Sequence, residues 1–205
     1  MIYEIFYSLV SFKGVLPVAL SSIFDKVSAS IPAALEDWNG QVNIWCADYS
    51  NKSAGARLTE ITIDQGVFIF DLAVERVVLA YSISTKQLCK RDSSRIRGFP
   101  KVKFLTQSSH RENIFVSDKG HFLGHACGGE LDINLFPQRR ELNRGWSEEG
   151  KRFRKMEKYV ADNTGTFFYH RAIYNDQTWV PSYLEYGVLR DHETWWIDKF
   201  KNGGE

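Results

Sequence analysis

The chain has 205 residues, 43% of them apolar and 25% charged, which is the composition of an ordinary globular protein and not of a disordered or fibrous one. That length suits one domain, or one domain with an extension, and it buries enough surface to fold without disulfides or a structural metal. With 26 Lys+Arg against 25 Asp+Glu and a formal charge of +1, net charge selects no class of partner, so any surface for nucleic acid must come from local clustering. Cys46, Cys89 and Cys127 are odd in number, far apart and without a Cys-x-x-Cys pair. This argues against a disulfide framework and for a reducing compartment.

The run from Met1 to Phe24 is the most apolar stretch, but Glu4 is its only early charge and Lys13 splits it. It lacks the basic start of a secretory signal and the unbroken run of about 18 apolar residues that a membrane span needs. The chain therefore reads as a cytoplasmic protein, or as an effector secreted without a cleavable signal peptide, with no membrane partner. Leu16, Leu20, Ile23, Phe24 and Val27 recur at helical spacing, and Pro17 suits a first turn. A second helix is expected to start at Ser30-Ile31-Pro32 and to run to Trp38, stopped by Asn39-Gly40. Alternation of apolar and polar residues predicts half-buried strands over Val42–Cys46 and Leu58–Ile63. The β-branched and aromatic runs Val67–Phe70 and Val77–Ile83 predict two more, joined by a turn over Asp71–Arg76.

Residues 90–113 are polar and basic, with Lys90, Arg91, Arg95, Arg97, Lys101 and Lys103 in a loop-like stretch. A short strand, Ile114–Val116, is followed by a turn rich in Gly and His. A helix is expected from about Trp146 to Ala161, with Phe153, Met156 and Val160 on one face. Strands are expected over Phe167–Ile173 and Trp179–Leu189. Strands and helices alternate without a βαβ rhythm, so the fold class is α+β with a mixed antiparallel sheet.

The segment from Ser117 to Glu157 concentrates groups that chemistry can use. It contains Asp118-Lys119-Gly120-His121, Asn134-Leu135-Phe136-Pro137-Gln138, Leu142-Asn143-Arg144-Gly145 and Arg154-Lys155-Met156-Glu157. An imidazole on a Gly-His turn can accept a proton at neutral pH. Asn and Glu side chains supply the hard oxygens that Mg²⁺ takes while it keeps several waters. Residues 139–158 hold eight Lys or Arg against four Glu, a local excess of +4. A base, a hard-cation site and a basic surface together suit phosphodiester hydrolysis.

At these residues the chain resembles the DNA/RNA non-specific endonucleases of the ββα-metal (His-Me finger) group, whose hallmark is Asp-Arg-Gly-His followed by Asn-x-x-Pro-Gln, Leu-Asn and a helical Glu. The resemblance runs from about Val77 to Leu189. It takes in Arg97-Gly98-Phe99 upstream and Ala172-Ile173-Tyr174 and Val180-Pro181-Ser182-Tyr183 downstream. It implies a ββα-metal nuclease domain over residues 71–205, with residues 1–70 as an N-terminal helical and strand extension that either docks a partner or extends the sheet. It implies His121 as general base, Asn143 as direct ligand of one Mg²⁺ (Mn²⁺ substituting), and Glu157 holding the metal's water shell. Asn134 would support the site, and Arg97 would bind the phosphate. Lys119 stands where the family has Arg, keeping the charge but not a bidentate contact. Asn143 and Glu157 are 14 positions apart, about 21 Å along an unbroken helix. Either Gly150 marks a break, or Glu148 or Glu149 takes the role of Glu157.

The implied substrate is DNA, with RNA as a second, and an interbacterial toxin bound by an immunity protein is a sharper version of the same reading. Two other readings stand beside it: a nuclease-fold protein that binds nucleic acid or a protein without cutting, and a zinc module using His121, His125 and Cys127. Asp118 is expected to fix the turn, Asn143 could cap a helix, and Trp195-Trp196 are expected in the core or an interface.

Overall fold

A computed structural model describes residues 18–27, 29–86, 99–100, 102–108, 111–129 and 131–203. In chain order the elements are α1 (Val18–Lys26), α2 (Trp38–Lys52), β1 (Leu58–Ile63), β2 (Gly66–Asp71), β3 (Arg76–Ile83), β4 (Lys103–Ser108), β5 (Arg111–Val116), β6 (Asp118–His121), β7 (Leu135–Gln138), α3 (Arg140–Asn143), α4 (Glu148–Asp162), β8 (Phe167–Ile173), β9 (Tyr183–Arg190) and β10 (Thr194–Lys201). The fold is mixed α+β. Its frame is a six-stranded sheet in the order β1-β2-β3-β8-β9-β10, antiparallel at every step. The pairs β4-β5 and β6-β7 stand apart from it.

All eight residues of β3 are buried, the pattern of a strand covered on both faces. Side chains alternate across the sheet. Ile69, Leu79, Tyr81, Phe167 and Tyr169 join Leu20, Ile23, Phe24, Trp38 and Val42 from the first two helices in one core. Phe68, Ala80, Phe168, Leu184 and Tyr186 join Phe122, Phe136, Leu142, Phe153 and Met156 in the other. Trp38 anchors the first core. It is 4% exposed, and its ring centroid lies 4.9 Å from Phe167, 5.2 Å from Tyr81 and 5.4 Å from Tyr169. Within the described residues, then, the N-terminal segment contributes a helical layer and two strands of the sheet that also holds β8.

Strands β3 and β8 are neighbours, with Ile83 opposite Phe167, although the whole stretch from Ser84 to Thr166 runs between them. Ser84 closes the neck of that excursion. Its N–H donates to the Thr166 carbonyl at 2.8 Å. Its hydroxyl donates to the Asn163 carbonyl at 2.8 Å and accepts from the Thr166 N–H at 3.1 Å. The excursion brings β6, β7, α3 and α4 onto the second face of the sheet.

Several expectations are corrected. Val42–Cys46 is not a strand; it lies inside the second helix. Trp38, Val42, Trp45 and Tyr49 are spaced four, three and four apart, so one helical face covers the sheet, and that packing outweighs a short local alternation. Asn39-Gly40 accordingly opens a helix and does not stop one, and in place of the helix expected from Ser30 the described residues hold a single 3-10 turn, Ala33–Leu35. The strand expected over Ile114–Val116 is the end of β5, which starts at Arg111; it pairs with β4, Lys103–Ser108, where a basic loop was expected, and β-forming residues such as Phe104-Leu105-Thr106 lie within the charged stretch. The strand expected from Trp179 starts only at Tyr183, after Pro181, which has no N–H to donate to a ladder. The last strand was not foreseen, because Asp198, Lys199 and Lys201 break its apolar pattern as charges on an edge strand do. Pro17 and Arg97 lie outside the described residues. No helix among the described residues is long and apolar enough to cross a membrane.

Trp38→Ala is expected to cost about 3–5 kcal/mol of stability. Urea denaturation followed by circular dichroism checks this; a loss under about 1 kcal/mol would mean that the helical layer is not part of the cooperative core.

Candidate active site

The site is built on β6 and β7, which pair antiparallel with Asp118 opposite Gln138 and His121 opposite Leu135. The Gly-His turn expected here is a strand: Gly120 and His121 belong to it, and the chain bends only after them. His121 is thereby held, half-buried, at the strand's C-terminal end, and Lys119 lies opposite Pro137.

Asn134, fully buried, fixes the backbone that follows His121. Its carbonyl accepts the Phe122 N–H at 3.0 Å. Its side-chain Oδ1 accepts the Leu123 N–H at 2.7 Å, and its Nδ2 donates to the Leu123 carbonyl at 2.8 Å. A side-chain amide thus stands in for a neighbouring strand. Losing it would leave buried backbone groups unpaired, at about 1–3 kcal/mol each.

Asp118 does not close a turn. It starts β6 and gathers donors from α3 and its C-cap: Arg140 Nε donates to Oδ1 at 3.0 Å, Arg144 Nη2 to Oδ1 at 3.2 Å, and the neutral Asn143 Nδ2 to Oδ2 at 3.5 Å. Burial pushes this carboxyl up, but the bonds from Arg144, Arg140 and Asn143 outweigh it, and the group is held below the usual carboxylate range. The Asn143 amide, oriented through its nitrogen, keeps Oδ1 as its oxygen donor. Asn143 is the last residue of α3 and not a helix cap. The cap of the next helix is Ser147, whose Oγ accepts the Gly150 N–H at 2.9 Å. The partnership of Asp118 with Arg140 and Arg144 was not read from the sequence. The one-turn spacing of the two arginines was its only trace.

The helix does break between Asn143 and Glu157, but not at Gly150. The reversal is at Gly145, whose φ of +69° favours glycine. Gly150 lies in the first turn of α4 and allows close approach, since a Cβ there would stand 2.3 Å from the Glu141 carbonyl oxygen. The chain folds back so that Arg154 packs beside Gly145, and the separation of about 21 Å along one rod no longer applies.

Glu157 pairs with Arg154 at 2.6 Å, and 20% of its side chain is exposed. Burial pushes its carboxyl up to about 7, with Arg154 opposing. Its charge reaches the Cys127 thiol, in the connection between β6 and β7. The alternatives are placed differently. Glu149 accepts the Lys201 N–H and pairs with Arg139, whereas Glu148 is 84% exposed and bonded to Lys151. Burial pushes the Cys127 thiol up to about 12, away from the thiolate that zinc binds. Among the described residues no group of three or more His, Cys, Asp or Glu could hold a metal ion.

The local excess of positive charge is largely answered by acids. Arg139, Arg140, Arg144, Lys151, Arg152, Arg154 and Lys158 each pair with a carboxylate, including Asp118, Asp198 and Asp162 from outside residues 139–158. Cavities of about 390 Å³ beside α2 and about 310 Å³ beside Phe122 and Phe136 are lined by none of His121, Asn143 and Glu157. Neither a protein-family model nor a curated protein matches the chain.

The raised Glu157 carboxyl has a consequence for stability. Between the unfolded value near 4.5 and the folded value of about 7, the folded chain holds a proton that the unfolded chain has released, so stability falls as pH rises through this window. Glu157→Gln is expected to be more stable than the parent by about 3 kcal/mol at pH 8 in EDTA, with the gap shrinking toward pH 5. Urea denaturation of both proteins across that range checks it; a gap independent of pH would contradict the assignment.

Proposed function

We propose that the chain is a divalent-metal-dependent endonuclease that hydrolyses phosphodiester bonds of DNA, with RNA as a second substrate, and has little sequence preference. The observation that carries this reading is the strand-pair-and-helix unit itself. His121 ends β6 with its backbone clamped by Asn134, and the fold-back at Gly145 returns the Arg154–Glu157 turn toward Asn143. The arrangement supports a ββα-metal nuclease core.

His121 takes a proton from water through an imidazole nitrogen as the water oxygen attacks phosphorus, and the 3′ oxygen leaves. Asn143 would hold the metal directly through Oδ1, and Glu157 would hold its waters; both are hard oxygen donors of the kind Mg²⁺ or Mn²⁺ takes. The bound ion would stabilise charge developing on the phosphate and the leaving oxygen. Lys119 lies two residues from the base on the same strand and would contribute a point charge toward the phosphate. Arg97 would add the second cation.

Supercoiled plasmid with Mg²⁺ is expected to be nicked and linearised, with EDTA abolishing the reaction and His121→Ala slowing it by about 10²–10⁴-fold. Cutting that survives EDTA or His121→Ala would overturn the assignment. Plasmid bound by folded protein but cut with neither Mg²⁺ nor Mn²⁺ would identify a non-catalytic binder instead.

A further inference from the structure

Trp146 is 60% exposed, and yet it stands on a fixed backbone. Its N–H donates to the Glu141 carbonyl at 2.9 Å, between the reversal at Gly145 and the Ser147 cap. Leaving such a side chain in water forgoes about 1.5–3 kcal/mol of burial. The other tryptophans of the second half of the chain are placed against neighbours: Trp195 against Trp38, Trp196 edge-on to Tyr159, and Trp179 edge-on to Phe99. The Arg144 guanidinium lies over the Trp146 ring at 5.0 Å. That guanidinium also binds Asp118, the carboxylate that accepts from Asn143. One continuous set of contacts therefore joins the indole to the candidate metal ligand.

We propose that Trp146 is a stacking platform for an unpaired base of single-stranded nucleic acid, with Arg144 directed at the adjoining phosphate; this rests on the nuclease reading above. A rigid aromatic face beside cations is the combination that single strands recognise, because every base offers a π-face and every nucleotide a negative charge. Arg140, Arg144 and Arg154 have side chains 36%, 46% and 57% exposed, each paired with Asp118 or Glu157, so a phosphate beside the indole would compete with those carboxylates for the guanidinium groups. In a duplex the bases are already stacked on one another, so the platform distinguishes strands with free bases from paired ones.

The test uses the full chain carrying His121→Ala, so that nothing is cut, with Mg²⁺ and two fluorescent probes of equal length: an oligothymidine and a strand of abasic sugars. Fluorescence anisotropy is expected to give binding about tenfold tighter for the oligothymidine. Adding Trp146→Ala should erase that difference while leaving abasic binding within about threefold, and Trp146→Phe should keep most of it. Circular dichroism confirms that each variant folds. A preference that survives Trp146→Ala, or no preference at all, overturns the stacking proposal and leaves the nuclease reading standing. Failure of folded protein to bind either probe also overturns the stacking proposal, whereas the nuclease reading falls only if plasmid is not cut.

Discussion

The pairing of β3 with β8 is the constraint on which the rest of the structure depends. Two strands adjacent in the sheet are 82 positions apart at the Ser84–Thr166 contact, so ordering the chain between them requires closing a long loop. Once that loop is closed, the central strands are buried on both faces and need two covers. The first two helices form one, and the excursion itself forms the other. The candidate site is thus no appendage. Phe122, Phe136, Leu142, Phe153 and Met156 are core residues, and they set where His121, Asn134, Asn143 and Glu157 stand. The Ser84 hydroxyl, which both donates and accepts across the neck, ties the ends of that excursion together.

Charge in the second layer is arranged in two opposite ways. Guanidinium groups keep Asp118 ionised despite its burial, while Glu157, with one arginine and much apolar surface around it, is pushed toward its neutral form. Perturbed carboxyls of that second kind cluster at functional sites because folding alone gains nothing from them. His170, on the sheet beside Phe153, is buried and stacked on Tyr186 at 3.8 Å, with burial lowering its pKa to about 3, so it is a neutral core residue at working pH. The basic stretch is paired with acids. Lys151–Glu148 and Lys158–Asp162 have both partners well exposed, and such pairs are worth only about 0–1 kcal/mol, whereas the carboxylates of Asp118, Glu149 and Glu157 are mostly covered.

The α+β class and the strands Leu58–Ile63 and Phe167–Ile173 were legible because their alternation or β-branched content is strong over six or seven residues. The second helix was misread because the five residues Val42–Cys46 carry both periods, and only the wider spacing from Trp38 to Tyr49 separates them. In the candidate site, the residue types and the need for a break before Glu157 could be read. The position of the break could not, since Gly145 and Gly150 look alike in sequence and differ only in φ and in what each packs against. The Asn134 clamp and the Asp118 hub were out of reach for a related reason: each joins residues 11 to 26 positions apart, which no local pattern encodes.

The most direct test of the central claim, that Asn143 and Glu157 serve a divalent ion beside His121, is a titration of the full chain with Mn²⁺ followed by electron paramagnetic resonance. The expected result is one bound ion per chain, with affinity lost in Asn143→Ala, weakened in Glu157→Gln and kept in His121→Ala. No bound Mn²⁺ on the folded parent protein, or binding indifferent to Asn143→Ala, would contradict it.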